Sequence, residues 1–246
     1  ALTGILDRFG YDVKMKGAPV RGYDAFLAFA RARNLAPATV LDVGVGPGTP
    51  WLYDAFPDAK LVLFEPLREY VAQNSGLIAA RGAEIHNVAL SDKAGEMRIR
   101  IPSVASGASL LERSEELEKL NAGRLANNPD EYRNIRVETL DSFDRYAAPY
   151  LLKIDVEGNE LMVMKGGKQV LQKTDMVIAE ASILPRHVNE PTLLDMMNFM
   201  DAQGFSLFDI PQMQQASPDG PLVFIDVAFV RRDSDWYQSA YLTEQP

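Results

Sequence analysis

Short apolar segments typical of β-strands alternate along this chain with segments that have helical periodicity. A strand, a helix and a second strand form a right-handed crossover, and repeated crossovers build a mostly parallel sheet with helices on both faces. The last two strand-like segments are close enough to pair antiparallel. We therefore predict an α/β fold with one sheet of about seven strands and an antiparallel last strand. The strand-like segments are TVLDVG, KLVLFEP, EIHNVAL, YLLKIDVEG, DMVIAEAS, FSLFDI and LVFIDVAFVRR.

The pattern predicts a single domain over residues 1–246. Residues 1–36 are expected to form an N-terminal helical cap, in which residues 23–35 have amphipathic spacing. Residues 95–148 interrupt the alternation with a half-exposed strand (MRIRIP), a solvated helix (ERSEELEKLN) and a turn (NNPDEY). Within this section, SVASGASLL is interpreted either as a flexible loop or as a lid.

The Met-rich segment LLDMMNFM is expected to pack in the core. Leu194, Met197 and Met200 follow helical spacing, and methionine readily fills irregular gaps between apolar side chains.

The acidic balance of the chain limits its partners. With 25 basic and 34 acidic residues the formal charge is −9, so a protein that follows a phosphate backbone would have to concentrate its positive charges on one surface. Arg98 with Arg100, and Arg231 with Arg232, are short clusters that we interpret as solvated strand faces or strand ends. We therefore expect no nucleic-acid partner.

The absence of cysteine excludes disulfides, thiolate metal sites and a cysteine nucleophile.

No apolar run approaches the roughly 18 residues of a membrane helix, and the first residues lack the pattern of a secretory signal. We expect a cytoplasmic protein with no membrane partner. A homo-oligomer and a piece of a longer protein are both compatible with the sequence.

A glycine-rich turn joins the first strand to the next helix. Gly44, Gly46 and Gly48 alternate in DVGVGPGT, and glycine there permits a sharp turn and the close approach of a ligand. A dinucleotide fingerprint needs a further glycine where this chain has Thr49, which weakens a pyrophosphate interpretation. Thr49 can instead cap the helix that begins at Pro50.

Two carboxylates flank this turn. Glu65 ends the second strand and could accept two hydrogen bonds from the hydroxyls of a ribose. Asp42, in the first strand, could accept a hydrogen bond from a ligand ammonium, directly or through water. The turn and Glu65 together predict a binding site for a ligand the size of a nucleotide.

The segment LLKIDVEGNE carries charges in and after a strand that should be buried, which is costly unless the charges are paired or used. Asp155 falls at the carboxyl end of the strand, where ligands of open α/β sheets bind. Lys153 lies deeper on the same face, and we expect it to pair structurally with Asp42 or Asp155. Glu157 is expected in the turn into the next helix. Glu160 is expected at the positive end of that helix dipole.

Eight segments of the chain resemble the FkbM-like methyltransferases, a branch of the Rossmann-like enzymes that depend on S-adenosylmethionine. They occur in that family's order and spacing between Val40 and Arg232, and KIDVEGNE is the most specific of them. The resemblance implies methyl transfer to a hydroxyl of a carbohydrate or specialised metabolite, so the expected partner is a small-molecule or glycan acceptor. The segments are VLDVGVGPGT, LFEPLREYVAQN, NVALSDKAGE, GASLL, VETLDSF, LLKIDVEGNELMVMKGG, VIAEASI and DVAFVRR.

The resemblance also implies which residues hold the donor. Gly46 departs from the family, which usually has a bulkier, Asn-like residue at this position, and the departure concerns the shape of the donor loop. The implied donor residues are Asp42, Gly44, Gly46 and Gly48 at the methionine part, Glu65 at the ribose, Val88 and Ala89 near the adenine, and Asp155 at the methyl group, with Ser91 and Asp92 just beyond the adenine.

Methyl transfer to an alkyl hydroxyl needs a general base or a metal ion that acidifies the oxygen, because the hydroxyl is a very weak acid. Asp155 and Glu180 end adjacent strands and could converge on a divalent ion such as Mg²⁺, with Glu157 or His187 as a third ligand. His187 is also a candidate base, because the unperturbed pKa of histidine lies near neutrality. His86 is interpreted as a structural or adenine-side residue. The candidate catalytic residues are Asp155, Glu157, Glu180 and His187.

Other functions are compatible with the same residues: N-methylation, a nucleoside-using oxidoreductase, and a non-catalytic domain that binds S-adenosylmethionine or acts as a scaffold. The missing dinucleotide glycine argues against the oxidoreductase. We expect residues 1–22, 102–134 and 183–192 to build the acceptor pocket. The composition of these segments does not identify the acceptor.

Overall fold

The computed structural model describes residues 22–102, 107–115, 117–119, 128–216 and 219–241. Residues 1–21 of the expected cap and residues 103–106 of the expected loop lie outside these ranges, and no helix within them is long and apolar enough to cross a membrane. The strands are β1 (Thr39–Val43), β2 (Lys60–Phe64), β3 (Glu84–His86), β4 (Ala89–Leu90), β5 (Gly95–Ile101), β6 (Glu131–Glu138), β7 (Tyr150–Ile154), β8 (Thr174–Ser182), β9 (Phe205–Gln215) and β10 (Leu222–Arg231).

Helices connect and cover these strands. A short 3-10 helix, Leu140–Phe143, precedes β7. The α-helices are α1 (Gly22–Ala32), α2 (Pro50–Ala55), α3 (Arg68–Gln73), α4 (Ser75–Arg81), α5 (Glu160–Lys165), α6 (Lys168–Leu171), α7 (Leu193–Ala202) and α8 (Asp235–Tyr241).

The main sheet has seven strands in the order β3-β2-β1-β7-β8-β10-β9. The contacts among β3, β2, β1, β7 and β8 are parallel, whereas β10 runs antiparallel to both β8 and β9. This confirms the predicted mostly parallel sheet with an antiparallel last strand. The carboxyl ends of β1, β2, β7 and β8 therefore meet at one edge of the sheet, which is the edge where such folds bind ligands.

Helices bury both faces of the sheet, and alternate side chains of β7 show the division. Leu151 packs in a cluster with Phe26 of α1 and Leu52 of α2. Leu152 packs in a second cluster on the opposite face, with Met200 of α7. All five residues of β7 are buried, as expected for a central strand that is covered on both sides.

Three strands form a small second sheet in the order β4-β6-β5. The prediction of EIHNVAL as one strand is wrong, because β3 joins the main sheet while β4 pairs with β6. The strand β6 was not predicted, and its first two residues lie in the expected turn NNPDEY. Most of its side chains are exposed or half-buried and four of its eight residues are charged, so its apolar face is short and consists of Ile135 and Val137.

Two segments predicted as single helices are each divided in two. LREYVAQNSGLIAARG forms α3 and α4, and ELMVMKGGKQVLQ forms α5 and α6. The second break lies at Gly166 and Gly167. A Cβ on Gly166 would lie 2.2 Å from the backbone oxygen of Ser91, so this glycine permits two backbone segments to touch.

The buried face of α7 differs from the predicted one. Met196 and Met200 are buried, at 3% and 0% exposure, whereas Leu194 and Met197 are exposed, at 66% and 37%. The prediction was correct for Met200 and wrong for the other two residues. The observed pair has the i, i+4 spacing of one helix face.

Met200 and Met197 form a matched pair for a stability test. We expect Met200→Ala to lower the free energy of unfolding by about 2–5 kcal/mol, because it opens a cavity in the core. Met197→Ala removes a side chain that is partly in water and should cost less than about 1 kcal/mol. Urea unfolding of the two variants measures both values, and equal losses would contradict the observed helix face.

Candidate active site

The glycine turn after β1 lies against the end of β7. Gly44 has a φ of +80°, and a Cβ on it would lie only 1.8 Å from the backbone oxygen of Asp155. Gly46 and Gly48 also have positive φ values, of +51° and +108°. No protein atom among the described residues lies within 4 Å of a Cβ built on Gly46, so open space remains above the turn there.

Glu65 holds this turn from the end of β2. Its Oε2 accepts a hydrogen bond of 2.9 Å from the N–H of Gly46, and its Oε1 accepts one of 2.8 Å from the N–H of Leu67. Burial raises the pKa of the Glu65 carboxyl, while these two backbone donors act in the opposite direction. Each oxygen keeps a further lone pair with which it can accept a hydrogen bond from a ligand.

A cavity of about 590 Å³, which we call the apolar chamber, opens beside this turn. Its walls are mostly apolar, which suits a flat aromatic group, and Glu65 supplies a polar group at the wall. Asn74, which the sequence analysis did not identify, fixes the turn by donating a hydrogen bond of 2.8 Å to the oxygen of Gly46. The predicted donor residues that line the chamber are Gly44, Gly46, Glu65, Val88, Ala89 and Asp155.

The remaining predicted donor-side residues lie elsewhere. Gly48 lines a second cavity, and Ser91 and Asp92 line neither. His86 also lines neither cavity, because its Nε2 lies 2.9 Å from the hydroxyl of Tyr146 and its ring stacks on Phe64. These contacts give His86 a structural role.

Asp42 lies beneath the turn and is fully buried. Its Oδ2 accepts hydrogen bonds of 2.7 Å from Thr49 Oγ1 and 2.5 Å from the hydroxyl of Tyr53. Thr49 takes the predicted N-cap position before Pro50, but its hydroxyl donates to Asp42 and makes no capping hydrogen bond. Asp42 lines neither cavity and supports the turn from below.

Lys153 links this buried carboxylate to the strand end. Its Nζ lies 3.5 Å from Asp42 Oδ1 and 3.3 Å from Asp155 Oδ2, so it faces both of the partners that the sequence suggested. The side chain of Lys153 is 8% exposed, whereas that of Asp155 is 45% exposed. Lys153 thus neutralises the buried carboxylate of Asp42 and holds the accessible carboxylate of Asp155 in place.

Replacing Lys153 tests the cost of leaving Asp42 unpaired. We expect Lys153→Met to lower the free energy of unfolding by about 3–5 kcal/mol, because it leaves a buried carboxylate without its cation. Lys173, which pairs with Asp144 at 2.8 Å and is 47% exposed, is the matched control. Lys173→Met should cost less than about 1 kcal/mol. Denaturant unfolding gives both values, and a loss below 1 kcal/mol for Lys153→Met would contradict this role.

A second cavity of about 680 Å³, which we call the polar chamber, lies on the other side of Asp155. The register of the neighbouring strands brings three carboxyl groups together at the floor of this chamber. Ile154 pairs with Ala179, so Asp155 follows at the level of Glu180, and Glu180 in turn pairs with Asp226 on β10. Asp155, Glu180 and Asp226 all line this chamber.

Arg186 joins the carboxylates of the polar chamber. It donates hydrogen bonds to Glu180 and, at 3.2 Å, to Oε2 of Glu157. Glu157 has a φ of +58° and lies in the predicted turn before α5. Burial raises the pKa of Glu180, while the guanidinium opposes this shift. Arg186 therefore supplies the positive charge that these two acids need.

The predicted Mg²⁺ site does not fit this arrangement. The carboxylates of Glu180 and Glu157 are already bound by the guanidinium of Arg186. Within the described ranges, no group of three or more His, Cys, Asp or Glu side chains is arranged to hold a metal ion.

His187 also lines the polar chamber, and it is only 6% exposed. Its Nε2 lies 3.2 Å from Nη2 of Arg100, and its Nδ1 lies 3.4 Å from Oε1 of Glu190. The interpretation of Arg100 as a solvated residue is wrong, because Arg100 is 4% exposed and lines the chamber. Its neighbour Arg98 is exposed, as expected.

Glu160 has a structural role in the turn below the two chambers. Its carboxylate accepts hydrogen bonds from the N–H groups of Val156, at 2.9 Å, and Gly158. Burial raises the pKa of this carboxyl to about 7, against the effect of these backbone donors. Glu160 therefore fixes the loop that carries Glu157.

The two chambers meet at a shared wall. Pro47, Gly107, Asp155 and Glu157 line both of them. Asp155 has the accessible carboxylate at this junction, next to Lys153. A ligand in the apolar chamber and another in the polar chamber can therefore approach each other at Asp155.

Sequence analysis did not identify several polar residues of the polar chamber, among them Tyr23, Arg113, Arg186 and Asp226. The hydroxyl of Tyr23 donates to Asp226, and its ring stacks on Trp51 at 3.8 Å. Asp226 lies inside the apolar run LVFIDVAFV, just as Glu180 lies inside the apolar run DMVIAEAS. The sequence therefore contained a signal for Asp226 of the same kind as the one that identified Glu180. The roles of Tyr23 and Arg186 carried no such signal.

The chain is similar to known methyltransferases. The magnesium protoporphyrin IX methyltransferase from Synechocystis PCC 6803, solved with bound S-adenosylmethionine, is 12% identical over 92% of this chain and 90% of that chain, with a TM-score of 0.44. The O-methyltransferase TomG from Streptomyces achromogenes is 15% identical over 93% and 87%, with a TM-score of 0.45. An rRNA methylase from Streptococcus thermophilus is 11% identical over 89% and 99%, with a TM-score of 0.47. No curated protein matches the chain significantly.

A family model gives the assignment. The methyltransferase FkbM domain matches residues 42–207, from β1 into β9. This range includes the glycine turn, Glu65 and the segment KIDVEGNE. The match extends over more than half of the chain, which therefore belongs to the FkbM family of S-adenosylmethionine-dependent methyltransferases.

Proposed function

We propose that this protein transfers a methyl group from S-adenosylmethionine to a hydroxyl of a carbohydrate or specialised metabolite. The observation that carries the proposal is the meeting of two chambers of different character at Asp155. The apolar chamber suits the donor, whose adenine is flat and whose ribose offers hydroxyls. The polar chamber, with its acids and arginines, suits a hydroxylated acceptor because these groups can accept and donate hydrogen bonds.

The donor-binding roles follow from the walls of the apolar chamber. Glu65 would accept hydrogen bonds from the ribose hydroxyls, and Val88 and Ala89 would contact the adenine. The positive φ at Gly44 and Gly46 permits a close approach at the turn. When bound, S-adenosylmethionine supplies an electrophilic methyl group.

Asp155 has the role of general base in this proposal. Its carboxylate would accept the proton of the acceptor hydroxyl as the oxygen attacks the methyl group. Lys153 holds that carboxylate at 3.3 Å and keeps it oriented. Glu157, Glu180 and His187 would position the acceptor, because all three line the polar chamber. Holding the reacting atoms close supplies much of the acceleration.

N-methylation is a second candidate, favoured by one observation. The floor of the polar chamber carries the carboxylates Asp155, Glu180 and Asp226, which could attract an ammonium group. The cations Lys153 and Arg186 face two of these acids, which reduces that attraction. The O-methylation proposal is therefore preferred.

A panel of matched acceptors distinguishes these functions. Each hydroxylated sugar or metabolite is paired with its amino counterpart, and formation of S-adenosylhomocysteine is measured together with the mass of the product. We expect product from hydroxylated compounds and little from the amino compounds. Preference for the amino compounds would assign N-methylation. Donor binding without turnover across the panel would favour the non-catalytic domain.

A further inference from the structure

The polar chamber has two buried arginines to which the proposed methyl transfer assigns no individual role. Arg100 on β5 is 4% exposed and Arg113 is 8% exposed, and both line the chamber. Arg113 lies in a short segment that pairs with the residues around His187, through a bridge between Arg113 and His187. The two arginines and His187 therefore form one wall, which we call the arginine wall.

The carboxylate of Asp130 is hydrogen-bonded to both arginines. Asp130 accepts from Arg113 Nη2 at 3.0 Å and from Arg100 Nη1 at 3.4 Å, and its side chain is 6% exposed. Two acids on neighbouring segments, Glu190 and Glu112, have other partners. Glu190 accepts from the hydroxyl of Ser182 and faces His187, and Glu112 accepts from the hydroxyl of Tyr132 at 3.1 Å.

Charge is thus unbalanced at the arginine wall. Two guanidinium groups share the carboxylate of Asp130, and Arg100 also contacts the ring of His187, which offers no negative charge. The Nε of Arg100 is buried and has no hydrogen-bond partner within the described ranges. A buried charge is costly unless it is paired, so an anion that entered the chamber would be stabilised there.

We propose that the arginine wall is an anion subsite, at which Arg100 and Arg113 bind a carboxylate or phosphate group of the methyl acceptor. The acceptor is then an acidic hydroxyl compound, with its hydroxyl toward Asp155 and its anionic group at the arginine wall. The planar fork of arginine matches both kinds of anion with paired hydrogen bonds. This inference rests on the proposed function, because it assigns the ligand that shares the chamber with Asp155.

The binding test compares three sugars of similar size: glucuronate, glucose 1-phosphate and glucose. Each is titrated by calorimetry into the full chain, with and without S-adenosylhomocysteine, at fixed ionic strength. We expect at least one acidic sugar to bind about tenfold or more tightly than glucose, the effect of a charge-assisted hydrogen bond. The tighter of the two acidic sugars identifies the anionic group. Equal affinities for all three sugars would overturn the subsite.

A matched pair of variants locates the effect. Arg113→Gln should remove most of the preference for the acidic sugar, whereas Arg98→Gln should keep it, because Arg98 lies on the same strand as Arg100 but is exposed and packs over the ring of Tyr132 at 3.9 Å. A preference that survives Arg113→Gln would overturn the assignment. If Arg113→Gln does not fold, the comparison of the three sugars in the unchanged protein decides the question.

The subsite and the proposed function fail in different ways. Loss of the acidic preference, with S-adenosylhomocysteine still bound, overturns only the subsite. Failure to bind S-adenosylhomocysteine counts against the proposed function, while the sugar titrations without it still test the arginine wall.

Discussion

Replacement of Asp155 by Asn should lower the rate of methyl transfer by about 10²–10⁴-fold, the contribution of a positioned general base. Asn has nearly the same shape but cannot accept the hydroxyl proton. Because the backbone at this position packs against Gly44 without involving the side chain, we expect the affinity for S-adenosylmethionine to change only a few-fold. The measurement is kcat with an acceptor from the panel, beside a donor titration.

Asp92→Asn is the matched control for this prediction. Asp92 is exposed and lines neither chamber, so its replacement should leave both kcat and donor affinity unchanged. Retained turnover in Asp155→Asn would remove Asp155 from the role of base. A fall in both variants would point to a general loss of structure.

Gly44→Ala should destabilise the protein severely, by more than about 4 kcal/mol. A Cβ at this position would lie 1.8 Å from the backbone oxygen of Asp155, and the φ of +80° is unfavourable for any L side chain. Relief of the clash would require β1 and β7 to separate at their carboxyl ends, where both chambers begin. We therefore expect loss of donor binding together with loss of stability.

Gly46→Ala is the matched control on the same turn. Its φ of +51° is also positive, but no described protein atom lies within 4 Å of a Cβ built there. We expect a loss of only about 1–2 kcal/mol from the left-handed backbone. Thermal and urea unfolding of the two variants provide the comparison. Equal stability would show that the close approach of Gly44 to β7 is not required.

The fold was predictable because local pattern and topology agree. Buried central strands such as β1 and β7 appear as apolar runs between helices, and the crossover rule then fixes the parallel sheet. The second sheet was not predictable in this way. Its strand β6 has mostly exposed and half-buried side chains, so its pairing depends on β4 and β5 and only Ile135 and Val137 give a short alternating pattern.

The residues of the site were also only partly predictable from the sequence. Charges inside apolar strands, such as Asp155 and Glu180, were conspicuous, because burial of a charge requires a partner or a use. Arg100 was misread, since a basic residue that alternates with apolar ones is usually solvated. Its burial depends on Asp130 and His187, which are distant in the sequence, and only the folded chain brings them together.

Calorimetric titration of the chain with S-adenosylmethionine and S-adenosylhomocysteine tests the central claim most directly. We predict that both bind at one site per chain, and that Glu65→Ala weakens both about tenfold or more, because it removes a charged hydrogen-bond acceptor from the chamber wall. A folded sample that binds neither compound would contradict the assignment of the apolar chamber to the donor.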